Sequence, residues 1–172
     1  MKIIRKREVY KSKIFRVVEE EAKDPSGFEI QRAIVRHGGS SVILVVDDRD
    51  RILLVKQFRL PAEKDLWEIP AGRLDPGEKP LATARRELRE ETGYTAKKWK
   101  KLAAYWPSPG YVSEKMHLFL ATGLTAGEAT PMEDERIERR WFKKKELDKL
   151  IRGGEIEDGK TLIAFLLWRR YK

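Results

Sequence analysis

The chain contains no cysteine, which excludes disulfides and thiolate metal sites. Its two histidines, His37 and His117, are too few for an imidazole metal centre. They are expected to be a turn residue and a strand-face residue. No apolar run approaches the roughly 18 residues of a membrane span. The basic N-terminus also lacks the apolar stretch of a secretory signal. Internal repeats and low-complexity tracts are missing, which excludes solenoids and disordered tails. Any functional metal must therefore be held by oxygen, and a cysteine-free chain of this kind is expected in the cytoplasm.

What is present suits one domain of ordinary size. The 172 residues are 41% hydrophobic, enough for a proper core. The net charge of +9 raises the question of a polyanionic partner. However, acidic residues interleave with the basic ones, the Lys97–Lys101 and Lys143–Lys145 patches are short, and no zinc-finger, RRM or KH pattern occurs. No nucleic-acid partner and no membrane partner are expected.

Residues 72–94 (GRLDPGEKPLATARRELREETGY) concentrate the chemistry. Asp75-Pro76-Gly77 is a turn, Pro80 suits a first helical residue, and Gly93 is a stop signal, so the pattern predicts a helix from Pro80 to Thr92. At about 100° per residue, Glu87, Glu90 and Glu91 share one arc, with Leu81, Ala84 and Leu88 on the next. Arg85 and Arg89 point away. Like charges at this spacing oppose helix stability. The bland explanation is a solvated face. The chemical one is a hard divalent cation such as Mg²⁺, which bridges carboxylates to substrate phosphates. Glu78 can join or orient that set, and Arg86 is placed to hold a carboxylate through a two-pronged contact.

The spacing of Gly72, Glu78, Arg86-Glu87-Leu88, Glu90-Glu91 and Gly93 resembles the signature box of the Nudix hydrolase family. The soft departure is Tyr94, where the family usually has an aliphatic residue. The resemblance implies an α/β fold, the Nudix α/β/α sandwich with a mixed sheet, carrying an N-terminal antiparallel strand extension. It also implies Mg²⁺, with Mn²⁺ as a substitute, held by Glu87, Glu90, Glu91, the Ala71 carbonyl and Glu135. The expected catalytic set is Arg86, Glu90, Glu91 and a loop carboxylate that takes the proton of the attacking water. Glu133 matches that base best by position, although Asp134 and Glu135 lie within a one-residue slip. A solvated acidic loop is the alternative for these residues.

The flanking sequence narrows the branch. Strand patterns at Ile3-Ile4, Val9-Tyr10, Ile14–Val18 and Phe28–Val35, with a turn at Asp24–Gly27, suggest a strand extension over 1–37 ahead of a hydrolase domain over 38–172. In the branch resembling ADP-ribose pyrophosphatases such an extension contributes to a homodimer and to the substrate pocket. Gln31–Gly38 resembles that branch's entry to the first core strand, although the branch's Arg-Glu pair stands here as Arg32-Ala33. The resemblance implies a nucleotide contact for Arg32 alone, with an exposed strand residue as the alternative. The apolar run Ser41–Val46 reads as a strand buried on both faces, followed by a turn and a strand over Arg51–Phe58. Gln57-Phe58-Arg59 resembles the branch's Gln-aromatic-Arg, which implies a phosphate contact for Arg59. Leu66–Gly72 reads as the strand entering the box, and within it Glu68 either positions the pocket or caps a loop. Pro109, 16 residues after Gly93, matches the position that marks the ADP-ribose-cleaving subgroup. Tyr111 is expected against base or ribose, and Trp106 in the core.

Further strands are expected at Trp99–Trp106, Ser113–Thr122 and Arg140–Phe142, and helices over Lys143–Arg152 and from Asp158 onward. The implied reaction is hydrolysis of ADP-ribose. Another nucleoside diphosphate sugar, such as GDP-mannose or an ADP-sugar, would need the same metal ligands. A triphosphate hydrolase and a non-catalytic nucleotide-binding module are the other readings.

Overall fold

A computed structural model describes residues 1–130 and 136–170. Its contacts separate into two compact units, Met1–Gly39 with Tyr105–Met116, and Ser40–Ala104 with His117–Lys172.

The first unit is built on a three-stranded antiparallel sheet of β1 (Lys2–Lys11), β2 (Phe15–Lys23) and β3 (Glu29–His37). The β2–β3 turn forms because the Asp24 carboxylate accepts the Ser26 and Phe28 N–H groups, while Gly27 takes φ 94°. Strand β1 is exposed along its whole length, including Ile3, Ile4, Val9 and Tyr10. Cross-strand pairs such as Arg7–Glu19 and Arg5–Glu21 line it up with β2. On the other edge, the Val35 N–H donates to the Tyr111 carbonyl and the Ser113 N–H to the Val35 carbonyl. These bonds fasten the segment after Pro109 to β3.

The second unit has a seven-stranded mixed sheet whose main order is β10-β5-β4-β9-β8, with β6 beside β5 and β7 beside β4. The strands are β4 (Ser40–Val46), β5 (Arg51–Arg59), β6 (Lys64–Glu68), β7 (Ala71–Arg73), β8 (Thr95–Tyr105), β9 (Met116–Thr125) and β10 (Glu138–Lys143). All seven residues of β4 are buried, as an unbroken apolar run should be. Its Ile43 and Val45 pack with Leu53, Ala84, Leu88, Phe119 and Ala121 under helix α1 (Pro80–Thr92). Helix α3 (Gly159–Arg170) also packs on β4, and α2 (Lys144–Arg152) follows β10. Tyr94 meets Trp141 edge to face at 5.6 Å in the same core, so the aromatic residue after the box glycine is a packing choice.

Three expectations shift. The strand entering the box is two strands, because Pro70 has no N–H to donate and the chain changes neighbour there, from β5 to β4. Strand β8 starts at Thr95, four residues earlier than its apolar pattern suggests, and β9 starts later, at Met116. Trp106 is 50% exposed instead of lying in the core.

Candidate active site

Helix α1 runs from Pro80 to Thr92 between a proline start and Gly93, which takes φ 76° and donates its N–H to the Arg89 carbonyl. The Ser41 hydroxyl holds its first turn by donating to the Pro80 carbonyl at 2.6 Å. Arg139 reaches back to donate to the Thr92 carbonyl at 2.8 Å at the other end.

Arg86 is the hub of the box. Its Nε donates to Glu78 Oε1 at 3.2 Å and its Nη2 to Glu78 Oε2 at 3.0 Å. The same Nη2 reaches the Arg73 carbonyl at 3.1 Å, and Nη1 lies between Glu87 at 2.6 Å and Glu90 at 3.1 Å. Glu78 also accepts from the Thr83 hydroxyl and the Asp75 N–H, which fastens the loop to the helix. The Arg86 hydrogen bonds hold the Glu78 carboxyl down to about 2, and its acidic partners push the Arg86 guanidinium further up.

Gly72 lets Glu87 lie close to the loop. A Cβ there would fall 1.9 Å from the Glu87 carboxyl carbon, so the glutamate lies directly on the loop backbone. Glu91 is buried, 4% exposed, and accepts the Ala71 N–H at 3.2 Å. The Ala71 peptide and Glu91 are thus neighbours, and Glu87 and Glu90 meet on Arg86. Among the described residues no three acidic or imidazole side chains stand ready to ligate an ion. Arg86 accounts for that, since it bonds Glu87 and Glu90 while Glu91 turns to the Ala71 N–H. The donor chemistry suits a hard divalent cation: carboxylate oxygens, one of them buried, with Glu87 lying where a Cβ at residue 72 would be. Glu133 and Glu135, as well as Asp134, lie outside the described residues.

A second cluster forms around Glu68, 2% exposed at the end of β6. Arg59 grips it with Nε at 2.8 Å and Nη2 at 2.7 Å, and the Lys160 ammonium donates to the same carboxylate. Burial opposes the charge on Glu68. The Arg59 hydrogen bonds and the Lys160 charge outweigh it and hold the carboxyl below its ordinary value. The Arg59 guanidinium is pushed up, first by its hydrogen bonds to Glu68, with the charge of Glu91 contributing. Among the described residues, the side-chain hydrogen bonds of Glu68 run to Arg59 and Lys160. Lys160 cannot be picked out from sequence, since it meets Glu68 across 92 residues and no local pattern marks it.

In the N-terminal unit, Arg32, Pro109 and Tyr111 line one cavity of about 480 Å³ with Arg36 and Trp106. Lys115 sits over the Trp106 ring at 5.4 Å. The cavity therefore combines aromatic faces with guanidinium groups, which suits a ligand having both a planar ring and an anion.

A hydrolase acting on phosphoric anhydrides is the class that this fold and box define. The NUDIX domain profile matches residues 35–165, and the chain belongs to the Nudix family. It is 42% identical over 165 residues to an ADP-ribose pyrophosphatase of Bacillus subtilis (strain 168), covering 95% of this chain and 89% of that protein. It is 36% identical, with the same coverage, to a methanol dehydrogenase activator of Bacillus methanolicus. A crystal structure of an ADP compounds hydrolase superposes with a TM-score of 0.84 at 22% identity, covering 99% of this chain and 94% of that one, a likeness of fold. Enzymes of this family generally use divalent metal ions. Among the described residues no helix is long and apolar enough to cross a membrane.

Proposed function

We propose that the protein hydrolyses the diphosphate bond of ADP-ribose to AMP and ribose 5-phosphate. The observation that carries this reading is the carboxylate set of α1, seated on Gly72 and gathered by Arg86. The 42% identity to an ADP-ribose pyrophosphatase supports the substrate, and so does a cavity lined by Arg32, Trp106, Pro109 and Tyr111.

Glu87, Glu90, Glu91 and the Ala71 carbonyl would hold Mg²⁺, or Mn²⁺ as a substitute, with Glu135 as a further ligand. When bound, such an ion supplies Lewis acidity and neutralises charge on the diphosphate. Arg86 holds Glu87 and Glu90 in orientation. Arg59 draws in a phosphate with its remaining N–H groups while Glu68 fixes its plane. Arg32 and Tyr111 hold the nucleoside end, with Pro109 shaping the loop. Glu133 takes a proton from water, whose oxygen attacks phosphorus as the bridging P–O bond breaks, and that proton then passes to the departing phosphate or to solvent.

In the same reading residues 1–37 form a dimerisation extension and 38–172 the hydrolase domain. Exposed Ile3, Ile4, Val9 and Tyr10 supply an apolar surface for a homodimer. A cytoplasmic location accords with the cysteine-free chain.

The test is phosphate release from a panel of nucleoside diphosphate sugars, coupled to phosphatase, with Mg²⁺ or EDTA, for wild type and Glu91→Gln. Fastest cleavage of ADP-ribose, lost with EDTA and in the variant, is the expected result. Faster cleavage of GDP-mannose or another ADP-sugar would overturn the substrate and keep the chemistry.

A further inference from the structure

We propose that Lys160 is a positioning residue for Arg59, acting through the buried carboxylate of Glu68. The proposal rests on the reading of Arg59 as the contact to the substrate diphosphate.

A closed ring of polar contacts joins the end of β6 to the first turn of α3. Lys160 donates to Glu68 and, at 2.8 Å, to Asp158 Oδ1. Asp158 Oδ2 accepts the Thr161 N–H at 2.9 Å and the Thr161 hydroxyl at 2.5 Å, as a residue preceding a helix does. The Thr161 oxygen in turn accepts the N–H of Ile69, the residue after Glu68, at 2.9 Å. Side-chain and backbone contacts thereby fix Glu68 from two directions. Lys160 is 11% exposed, so solvent hardly screens this arrangement.

Charge decides what the ring does. Glu68 Oε2 is shared between Arg59 Nη2 and the Lys160 ammonium. With two cations on one buried carboxylate, the charge of Glu68 is divided between Arg59 and Lys160, while Glu91 and Asp158 add their own negative charge toward Arg59. Asp158 accepts the Thr161 N–H and hydroxyl as well as Lys160, so it does not cancel the lysine fully. Arg59 is 39% exposed and its side chain has no other hydrogen-bond partner among the described residues, so its remaining donors can meet an anion from outside. Without Lys160, Glu68 would face Arg59 alone, and the guanidinium would be tied one to one to a carboxylate that competes with substrate.

The experiment is steady-state hydrolysis of ADP-ribose by wild type, Lys160→Met, Lys160→Arg, Arg59→Ala and the double variant of Lys160→Met with Arg59→Ala. A contact made equally in ground and transition states should appear in KM: Lys160→Met should raise it about tenfold with kcat within about twofold. Lys160→Arg, which keeps charge and donor, should recover most of the loss. In the Arg59→Ala background, Lys160→Met should change KM less than about twofold, because its route is gone. A lysine serving stability alone would give the same factor in both backgrounds, and that result overturns the proposal. A KM effect of Arg59→Ala with none from Lys160→Met also overturns it and leaves the function intact. An Arg59→Ala variant with unchanged KM overturns the reading beneath it. If Lys160→Met loses its circular dichroism spectrum, Lys160→Gln, which retains a donor, takes its place in the same cycle. If wild type cleaves no ADP-ribose, the same cycle is run on Kd by calorimetric titration with ADP-ribose. Equal factors in the two backgrounds, or no binding at all, then overturn the proposal.

Discussion

Gly93 and Gly127 approach each other backbone to backbone. A Cβ on Gly93 would fall 2.5 Å from the Gly127 carbonyl oxygen, and one on Gly127 would fall 3.0 Å from that of Gly93. The last glycine of the box thus ends a helix and also admits the segment leading to Thr130, whose N–H donates to the Glu90 carbonyl. Gly93→Ala should cost at least ~2 kcal/mol, from left-handed strain plus collision with backbone that cannot rotate away. Gly154→Ala, with φ 77° and open space around it, carries the strain alone and should cost about 1 kcal/mol. Urea unfolding of the two variants separates the contributions.

At Gly72 the collision is with a side chain. The Glu87 carboxyl can move away from a new Cβ, so Gly72→Ala should change stability by less than about 1 kcal/mol. The displaced carboxylate should nevertheless lower kcat/KM about a hundredfold, since small misplacements at a reacting centre are expensive. Equal unfolding midpoints with unequal turnover are the expected pair of measurements.

The Glu78–Arg86 pair sets an acid limit in metal-free protein. The folded carboxyl titrates near 2 and the ordinary value is 4.5, so the unfolded chain takes up the proton first as pH falls. The pair's contribution is full above about 4.5 and is lost as pH drops from there through about 2. Unfolding free energies measured from pH 6 to pH 2 should fall through this window. The fall should be shallower in Glu78→Gln, which removes the titrating group.

Arg139 donates to the Thr92 carbonyl at the end of α1. A charged donor on a helix C-terminal carbonyl contributes about 1–3 kcal/mol. Arg139→Ala should lose that amount in urea unfolding, and amide exchange should quicken in the last turn of α1 before the first.

The elements that can be read from sequence carry their own punctuation. Pro80 and Gly93 bracket α1, and the unbroken apolar run of β4 announces burial on both faces. Glu78, Arg86, Glu87, Glu90 and Gly72 are neighbours because one loop and one helix hold them all. Strand β8 is harder, since it is the sheet's edge and its lysines face water instead of alternating with a core. The break at Pro70 has a signal, the missing N–H, hidden in an apolar context. Trp106 resembles core because large aromatics usually are, yet here it lines a cavity. Lys160 and Arg139 have no local signal, because each meets a partner far away in the chain.

The switch of neighbours at Ile69-Pro70 makes a short piece of chain into a ruler. Glu68 at its near end orients Arg59, and Ala71 at its far end meets Glu91. The separation between the Arg59–Glu68 pair and the carboxylate arc is thereby set by covalent geometry. Insertion or deletion of a single residue between Glu68 and Ala71 would put one cluster out of step with the other, whatever the side chains. Alignments of lineages carrying this arrangement should show no gap across these positions, even where the side chains between Glu68 and Ala71 differ.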